Sequence, residues 1–172
     1  LDLARLESGR LTLNPVPLDL AALTRHSMDA IAHLHQERGI ALEVDLAADP
    51  AMVVGDHDRL EQVVINLLDN ASKFADREQP KVRLSLYRHR HHFRLSVEDN
   101  GAGISAEERE RVFEKFHQIQ QADDIPRGRP RGSGLGLPIS RGIIAHLGGR
   151  LWVEDASTLG GACLTLELPA AP

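Results

Sequence analysis

Three polar side chains recur along one predicted helix, and their types suit binding of a metal ion and a phosphate. Asn66, Asn70 and Lys73 follow one another at spacings of four and three residues, which places them on one side of a helix. Amide oxygens are ligands for a hard cation such as Mg²⁺, and an ammonium is a point charge for phosphate. Asn is a weaker helix former than the Glu, Lys and Arg of an ordinary solvated face. Taken alone, the pattern fits a ligand-facing surface or a surface helix that happens to carry two asparagines.

A carboxylate precedes a glycine-containing turn at the end of a predicted strand. Asp99 is followed by Gly101 and Gly103. Glycine lets the backbone approach a flat ligand closely, and a lone carboxylate accepts a hydrogen bond from an exocyclic amine. In isolation the same residues also fit a plain Asn-Gly turn.

A second glycine cluster, Gly132-Ser133-Gly134-Leu135-Gly136, stands directly before a predicted helix. Backbone N–H groups and the helix dipole form an anion site at such a terminus. The cluster is neither a Walker A loop nor the dinucleotide fingerprint that follows a strand. The preceding polar segment carries arginines at 127, 129 and 131 and is predicted to be a mobile loop. These arginines either close over phosphates or simply belong to an exposed flexible loop.

Composition limits the class of protein. A chain of 172 residues suits one domain, and its net charge of −5 argues against a general nucleic-acid binder. The single cysteine permits no internal disulfide and fits a reducing compartment. No apolar run has the length of a membrane span. The chain begins at Leu1 in mid-pattern, so we interpret it as a piece of a longer protein.

Hydrophobic periodicity predicts the elements that must position these residues. In chain order they are the end of a helix at 1–7, an edge strand at 11–13, a helix from Asp19 to about Gly39, strands at 40–46 and 52–54, a central helix from its Asp56 cap to about Phe74, strands at 81–86 and 93–98, a short helix from a Ser105–Glu108 capping box to Phe113, a helix after the second glycine cluster, and strands at 151–154 and 163–168. This order predicts an α+β fold: a two-layer α/β sandwich whose mixed, mostly antiparallel sheet is covered on one face by helices.

Four motifs, in this order, resemble those of the ATP-binding catalytic domain of sensor histidine kinases. That domain has the Bergerat fold, which is shared with gyrase-type topoisomerases, mismatch-repair ATPases and heat-shock chaperones. The segments are Asn66–Phe74 (N box), Glu98–Ile104 (G1 box), Phe113–Phe116 (F box) and Gly132–Leu137 (G2 box). The resemblance covers nearly the whole chain. It implies a catalytic domain at 11–172, preceded at 1–10 by the end of the dimerisation and phosphoacceptor helix.

The resemblance also implies roles for the site residues, with ATP and Mg²⁺ as cofactors. Asp99 would hold the adenine amino group, Asn70 would coordinate Mg²⁺ with Asn66 nearby, and Lys73 would contact phosphate. The glycines of the second cluster would frame the phosphates and hinge a lid at 116–131. The residues implied to bind the nucleotide are Asn66, Asn70, Lys73, Phe74, Asp99, Gly101, Gly103, Ile104, Phe116, Arg131, Gly132, Ser133, Gly134, Leu135, Gly136 and Leu137. Those implied to be catalytic are Asn66, Asn70 and Lys73.

Two positions depart from the family pattern. Phe74 stands where the family often has tyrosine. Ala162-Cys163 follows Gly161 where many members have Thr-Thr, so a hydroxyl often found near the adenine is in doubt.

The identity of residue 66 bears on the type of reaction. Hydrolytic members of the superfamily carry a glutamate at the position of Asn66 to activate water, and an amide cannot act as a general base. Neutral imidazole already has a free lone pair, so its phosphorylation needs mainly positioning and charge neutralisation. The expected function is therefore transfer of the γ-phosphoryl group to a histidine, and onward to an aspartate of a response-regulator receiver domain. The expected partners are that receiver and the chain's own dimerisation domain, in the cytoplasm, with membrane anchoring of the parent protein left open.

None of the nine histidines lies in a Ser-His-Glu-Leu-Arg-Thr-Pro-like context. We therefore expect the acceptor upstream of Leu1, and expect this chain to bind ATP without phosphorylating itself. His57 is interpreted as structural or exposed, while His89, His91 and His92 crowd a predicted hairpin turn and form a weak candidate metal site. An alternative function from a different class is a degenerate, nucleotide-free interaction module of the same fold.

Overall fold

The computed structural model describes residues 2–118, 134–154 and 158–172, and this part of the chain contains four α-helices and seven strands. In chain order they are α1 (Asp2–Glu7), β1 (Val16–Asp19), α2 (Leu20–Glu37), β2 (Ala41–Leu46), β3 (Met52–Gly55), α3 (His57–Phe74), β4 (Lys81–His89), β5 (His92–Asp99), α4 (Gly136–His146), β6 (Arg150–Val153) and β7 (Cys163–Pro169). One 3-10 turn lies at Arg111–Phe113.

Five strands form a mixed sheet in the order β2-β4-β5-β7-β6. Strand β2 runs parallel to β4, and the other neighbours are antiparallel. Alternate residues of the central strands, such as Leu84, Leu95 and Leu166, are fully buried in the core beneath α3 and α4. The predicted α+β sandwich, with its mostly antiparallel sheet and helical layer, is confirmed.

Helix α3 lies at the centre of the helical layer. Asp56 caps it by accepting a hydrogen bond from the Arg59 N–H at 3.2 Å. Leu60, Val64 and Leu67 are fully buried, because they recur on the stripe that faces the sheet. The predicted start, end and buried face of this helix are confirmed.

Helix α2 packs against α3, and its predicted bounds are also confirmed. The Asp19 carboxylate accepts from Ala21 N–H at 3.0 Å and from Ala51 N–H at 2.8 Å. The second bond joins the start of α2 to β3, so one side chain both caps the helix and fixes the small β1-β3 sheet.

Two predicted elements are wrong in place or extent. The edge strand predicted at 11–13 lies instead at Val16–Asp19, since Leu11 is buried and its N–H donates to the Arg5 carbonyl at 3.1 Å. The short helix predicted from Ser105 is reduced to turns and one 3-10 turn. The Glu108 side chain does not close a capping box there, because it contacts His117 Nε2 at 2.5 Å and Arg111 at 3.2 Å.

Helix α1 lies against α4 and the first half of α3. The Asp2 carboxylate pairs with Arg59 at 3.0 Å and accepts from the Gln62 amide at 3.3 Å. The Leu6 side chain lies close against Gly142. A Cβ added to residue 142 would be 2.9 Å from the two methyl carbons of Leu6. Among the described helices, none has both the length and the apolar character needed to cross a lipid bilayer.

Candidate functional site

The carboxylate of Asp99, at the end of β5, is held by backbone groups on two sides. Its Oδ1 accepts hydrogen bonds from the N–H of Gly101 at 2.8 Å and of Ala162 at 3.3 Å. The Asp99 main chain also bonds to Ala162 O at 3.0 Å and to Gly161 N at 3.1 Å. Within the described residues, Oδ2 accepts no hydrogen bond. The second carboxylate oxygen is therefore the acceptor left for a ligand.

Burial governs the charge of this carboxyl group. Asp99 is 4% exposed, and burial raises its pKa above the ordinary value. The two N–H donors lower the pKa, and the neighbouring Glu98 raises it again. An acceptor removed from water binds an N–H donor strongly, because leaving that acceptor without a partner is costly.

Two glycines allow the chain to pass close to this carboxylate. A Cβ on Gly101 would collide with the carbonyl oxygen of Phe74, and a Cβ on Gly161 would collide with the carbonyl and carboxylate oxygens of Asp99. Gly103 has a φ of +79° and lies next to Gly161, while Ile104 packs against the core. The turn after β5 is thus joined directly to the C-terminal end of α3, where Phe74 is 38% exposed.

The polar face of α3 meets the first turn of α4. The Asn66 amide nitrogen donates to Ser140 Oγ at 3.0 Å, and its oxygen lies where a Cβ of Gly136 would be. One turn further along α3, the Asn70 amide forms no hydrogen bond within the part of the chain that the structure describes. Asn66 is therefore fixed by the protein, whereas Asn70 is left for a ligand.

Lys73 belongs to a cluster of charges between α2 and α3. Its ammonium lies 3.0 Å from Asp69, and Arg38, directly after α2, lies 2.9 Å from the same carboxylate. Arg38 also donates to Ser72 Oγ. Lys73, Asp69 and Arg38 line a groove between the two helices together with Asn66. The predicted phosphate-binding lysine is thus also part of an ion-pair cluster.

The start of α4 is joined to the first residue of the predicted lid. Phe116 N–H donates to the Gly134 carbonyl at 3.0 Å, and Gly134 has a φ of +71°. Phe116 is 70% exposed. Leu135 precedes α4, and Leu137 packs against the core. Arg131, Gly132, Ser133 and most of the predicted lid lie outside the described residues.

The contacts of some residues in this site were not predicted from the sequence. Ser140 holds Asn66, Asp69 pairs with Lys73, and Arg38 pairs with the same Asp69 carboxylate. The spacing of Asp69 and Lys73 is typical of a helical ion pair, and Ser140 follows Gly136 by one helical turn. Both signals were present in the sequence, but neither indicates which partner a polar side chain chooses.

The joined elements can bind a ligand with two chemically different parts. A buried carboxylate between glycine turns suits a flat group that carries an N–H donor. The Asn70 amide, which has no hydrogen-bond partner among the described residues, suits a metal ion, and the Lys73 ammonium and the N–H groups at the start of α4 suit an anionic group.

Comparison with known proteins gives consistent matches. The family model described as "Histidine kinase-, DNA gyrase B-, and HSP90-like ATPase" matches residues 55–172. The sensor protein ChvG of Agrobacterium fabrum is 35% identical over 99% of this chain, which spans 30% of that protein.

Solved structures agree with these matches. The catalytic domain of histidine kinase ThkA, in a nucleotide-free form, superposes with a TM-score of 0.78 at 26% identity, covering 92% of this chain and 97% of that one. Full-length ShkA in complex with AMPPNP has a TM-score of 0.81 at 29% identity, covering 99% of this chain and 34% of that one.

Proposed function

The chain belongs to the histidine kinase-, DNA gyrase B- and HSP90-like ATPase family, as a histidine kinase-type catalytic domain, and on this premise we propose that it binds Mg-ATP and phosphorylates a histidine. The observation that carries the proposal is the buried Asp99 carboxylate, which has one oxygen fixed by two backbone N–H groups and the other without a hydrogen-bond partner among the described residues. That arrangement suits the exocyclic amine of adenine.

The residues present fit the nucleotide and its metal ion. Gly101 and Gly161 let the end of α3 and the segment before β7 pack directly against the Asp99 turn, where any side chain would collide with Phe74 or Asp99, and this packing fixes the carboxylate that would meet the base. Mg²⁺ prefers one or two protein oxygens plus phosphates and waters, and the Asn70 amide supplies one such oxygen. Lys73 and the N-terminus of α4 supply positive charge for the phosphates. When bound, Mg-ATP supplies the phosphoryl group that is transferred.

Asn66 supports transfer rather than hydrolysis. Its amide nitrogen donates to Ser140 and its oxygen packs on Gly136, so the side chain is held in place and carries no group that takes a proton from water. An imidazole acceptor needs no such base, because its lone pair is already available. The protein then has only to position the acceptor and neutralise charge.

The proposed partners follow from the same reaction. Residues 1–10 are the end of a dimerisation helix that carries the acceptor histidine further upstream, and 11–172 are the catalytic domain. The phosphoryl group then passes to an aspartate of a response-regulator receiver domain. The domain works in the cytoplasm, where ATP is available.

Calorimetric titration with a non-hydrolysable ATP analogue, with and without Mg²⁺, tests the proposal. We expect saturable binding that Mg²⁺ strengthens. Asn70→Ala should remove most of the Mg²⁺ effect, whereas Asn14→Ala, at an exposed position outside the site, should not. Absence of binding by the unmodified chain would favour a nucleotide-free interaction module instead.

Transfer is tested separately with γ-labelled ATP. The chain alone should remain unlabelled, and adding the dimerisation domain in trans should label that domain on histidine. Label on a histidine of this chain would contradict the proposed location of the acceptor.

A further inference from the structure

Metal-binding side chains from two helices meet between α2 and the first turn of α3. His57 Nδ1 and carboxylate oxygens of Asp58 and Glu61 all lie within 4.8 Å of one another. His26 of α2 approaches the same Glu61, with Nε2 3.3 Å from Oε1. The ring centroids of His26 and His57 are 6.1 Å apart. Two imidazoles and two carboxylates from separate elements thus converge.

The separations of these atoms resemble the edges of a metal coordination shell. Zinc bonds to nitrogen and oxygen ligands are about 2.0–2.2 Å long, so tetrahedral ligands lie roughly 3.3–3.5 Å apart. His57 Nδ1 lies 3.4 Å from Asp58 Oδ1 and 3.9 Å from Glu61 Oε2, and His26 Nε2 lies 3.3 Å from Glu61. The atoms of His57, Asp58 and Glu61 would surround one ion after small side-chain movements. His26 lies outside that group and would join it after rotation of its exposed side chain.

The supporting elements are regular, and the ligand atoms are accessible. Asp56 caps α3 directly before His57, and α2 packs along α3, so the backbone positions are fixed. The side chains of His26 and His57 are 64% and 53% exposed, while that of Glu61 is 23% exposed. An ion can therefore reach the histidines and meet a half-buried carboxylate below them.

We infer that His26, His57, Asp58 and Glu61 form a binding site for a divalent transition-metal ion of the Zn²⁺ class. Imidazole ligands select such ions over Mg²⁺, which prefers oxygen. The site is separate from the nucleotide site, because 13 residue steps along α3, or about 20 Å, separate His57 from Asn70. A bound ion joins α2 to α3 at the end of the pair opposite the phosphate-binding residues.

The chain offers a matched control for the geometry. His33 and Glu37 of α2 form an exposed pair at the same four-residue spacing as His57 and Glu61, 3.2 Å apart. The metal-ligand cluster found among the described residues includes neither of them. A histidine–carboxylate ion pair without further ligands is thus available for comparison.

The β4-β5 hairpin is a competing location for zinc binding. His89 and His92 are register partners at the β4-β5 turn, and adjacent histidines bind zinc weakly without help from carboxylates. The double variant His89→Gln/His92→Gln measures this contribution.

The test is calorimetric titration of the nucleotide-free chain with Zn²⁺. We expect one saturable site, weakened about 100-fold or more by His57→Gln or Glu61→Gln, since losing even an outer-shell partner costs 10- to 100-fold. His26→Gln should also weaken it, and His33→Gln should leave the affinity unchanged. Unchanged affinity in both His57→Gln and Glu61→Gln, or loss in the hairpin double variant alone, would overturn the inference.

A second measurement separates loss of binding from loss of fold. Zn²⁺ should raise the melting temperature of the unmodified chain and of His33→Gln, and should leave that of His57→Gln unchanged. The metal-free melting temperatures of all three should be similar, because both histidines are exposed. A zinc-induced rise that persists in His57→Gln would place the ion elsewhere.

Discussion

The two ends of the candidate nucleotide site are held by different kinds of interaction. At the adenine end, Asp99 is fixed by main-chain N–H groups of Gly101 and Ala162 and is almost fully buried. At the phosphate end, Lys73 is held by the Asp69 side chain, and both are about a quarter exposed. Main-chain donors in the turn after β5 and directly before β7 are held in place by the fold, whereas exposed ion pairs are weak and exchange readily. The adenine end is therefore preorganised, and the phosphate end can adapt.

The largest expected effect comes from Asp99→Asn. The two N–H donors would hold the amide oxygen in the place of Oδ1, so the NH₂ group would replace Oδ2 and face the amine of adenine. Two facing donors cannot bond, and affinity for ATP and for adenosine should fall by about 100-fold or more. Binding within a few-fold of the unmodified chain, measured by calorimetry, would show that Asp99 does not hold the base.

The same variant should fold as well as the unmodified chain. Because burial raises the pKa of Asp99, its stabilising contribution is present below the unfolded pKa and is lost as pH rises through the folded pKa. At neutral pH the buried charge therefore costs stability, and the neutral amide removes that cost. Thermal unfolding at pH 7 should show an equal or higher melting temperature.

Gly101→Ala should break the preorganised end by crowding. Its Cβ would collide with the Phe74 carbonyl, and overpacking of this kind costs about 1–3 kcal/mol of unfolding free energy. The shifted turn should also weaken adenosine binding. Gly39→Ala is the control: its φ of +67° makes alanine strained, but nothing lies within 4 Å. It should lose stability while keeping its affinity for adenosine.

Lys73→Gln should affect only the adaptable end. Removing the ammonium should weaken binding of an ATP analogue about tenfold, the value of one charge-assisted hydrogen bond. Adenosine, which lacks phosphates, should bind unchanged. Lys81→Gln, on an exposed residue at the start of β4, should change neither affinity. An equal loss for both ligands would mean that the two ends are not independent.

Lowering the pH should weaken binding at the Asp99 end of the site, opposite the Lys73 end. A protonated Asp99 no longer accepts through a charged oxygen, and burial places its pKa above the ordinary value of about 3.9. Adenosine affinity should therefore fall by several-fold as pH is lowered, starting at a higher pH than for an ordinary aspartate. Adenosine carries no titrating phosphate, and its ring is protonated only in the range of an ordinary aspartate or below, so a fall that begins at a higher pH reports the protein. An affinity that stays constant until the pH range in which an ordinary aspartate titrates would contradict this assignment.

The sequence predicted regular elements better than contacts between polar side chains. The stripe of Leu60, Val64 and Leu67 and the Asp56 cap were sufficient to place α3, because burial and capping act locally. The Ser105–Glu108 pattern failed because Glu108 could bond to several partners, and folding brought His117 next to it. Local patterns do not show which long-range partner a charged side chain chooses.

In the candidate site, too, local features were predictable from the sequence and long-range contacts were not. The positions of Asp99 and its glycines followed from a strand end and a turn, and their family roles from the resemblance. The donors that orient Asp99 come in part from residue 162, which is 63 positions away in the chain. Likewise, Asn66 and Ser140 meet over 74 positions. These contacts depend on sheet register and helix packing, which hydrophobic periodicity does not specify.

The smallest expected effect concerns the hydroxyl missing from residues 162–163. Because Glu98 and Cys163 are register partners, they share one face of the sheet, and Asp99 and Ala162 share the opposite face, towards the adenine end. Ala162→Thr should therefore place a hydroxyl beside the carboxylate and tighten adenosine binding by about two- to fivefold, the net value of one neutral hydrogen bond. Cys163→Thr places its hydroxyl on the opposite face, near Thr165, and should leave the affinity unchanged. If only Cys163→Thr tightened binding, the base would have to approach from the other face of the sheet, and the preorganised end would need a different ligand.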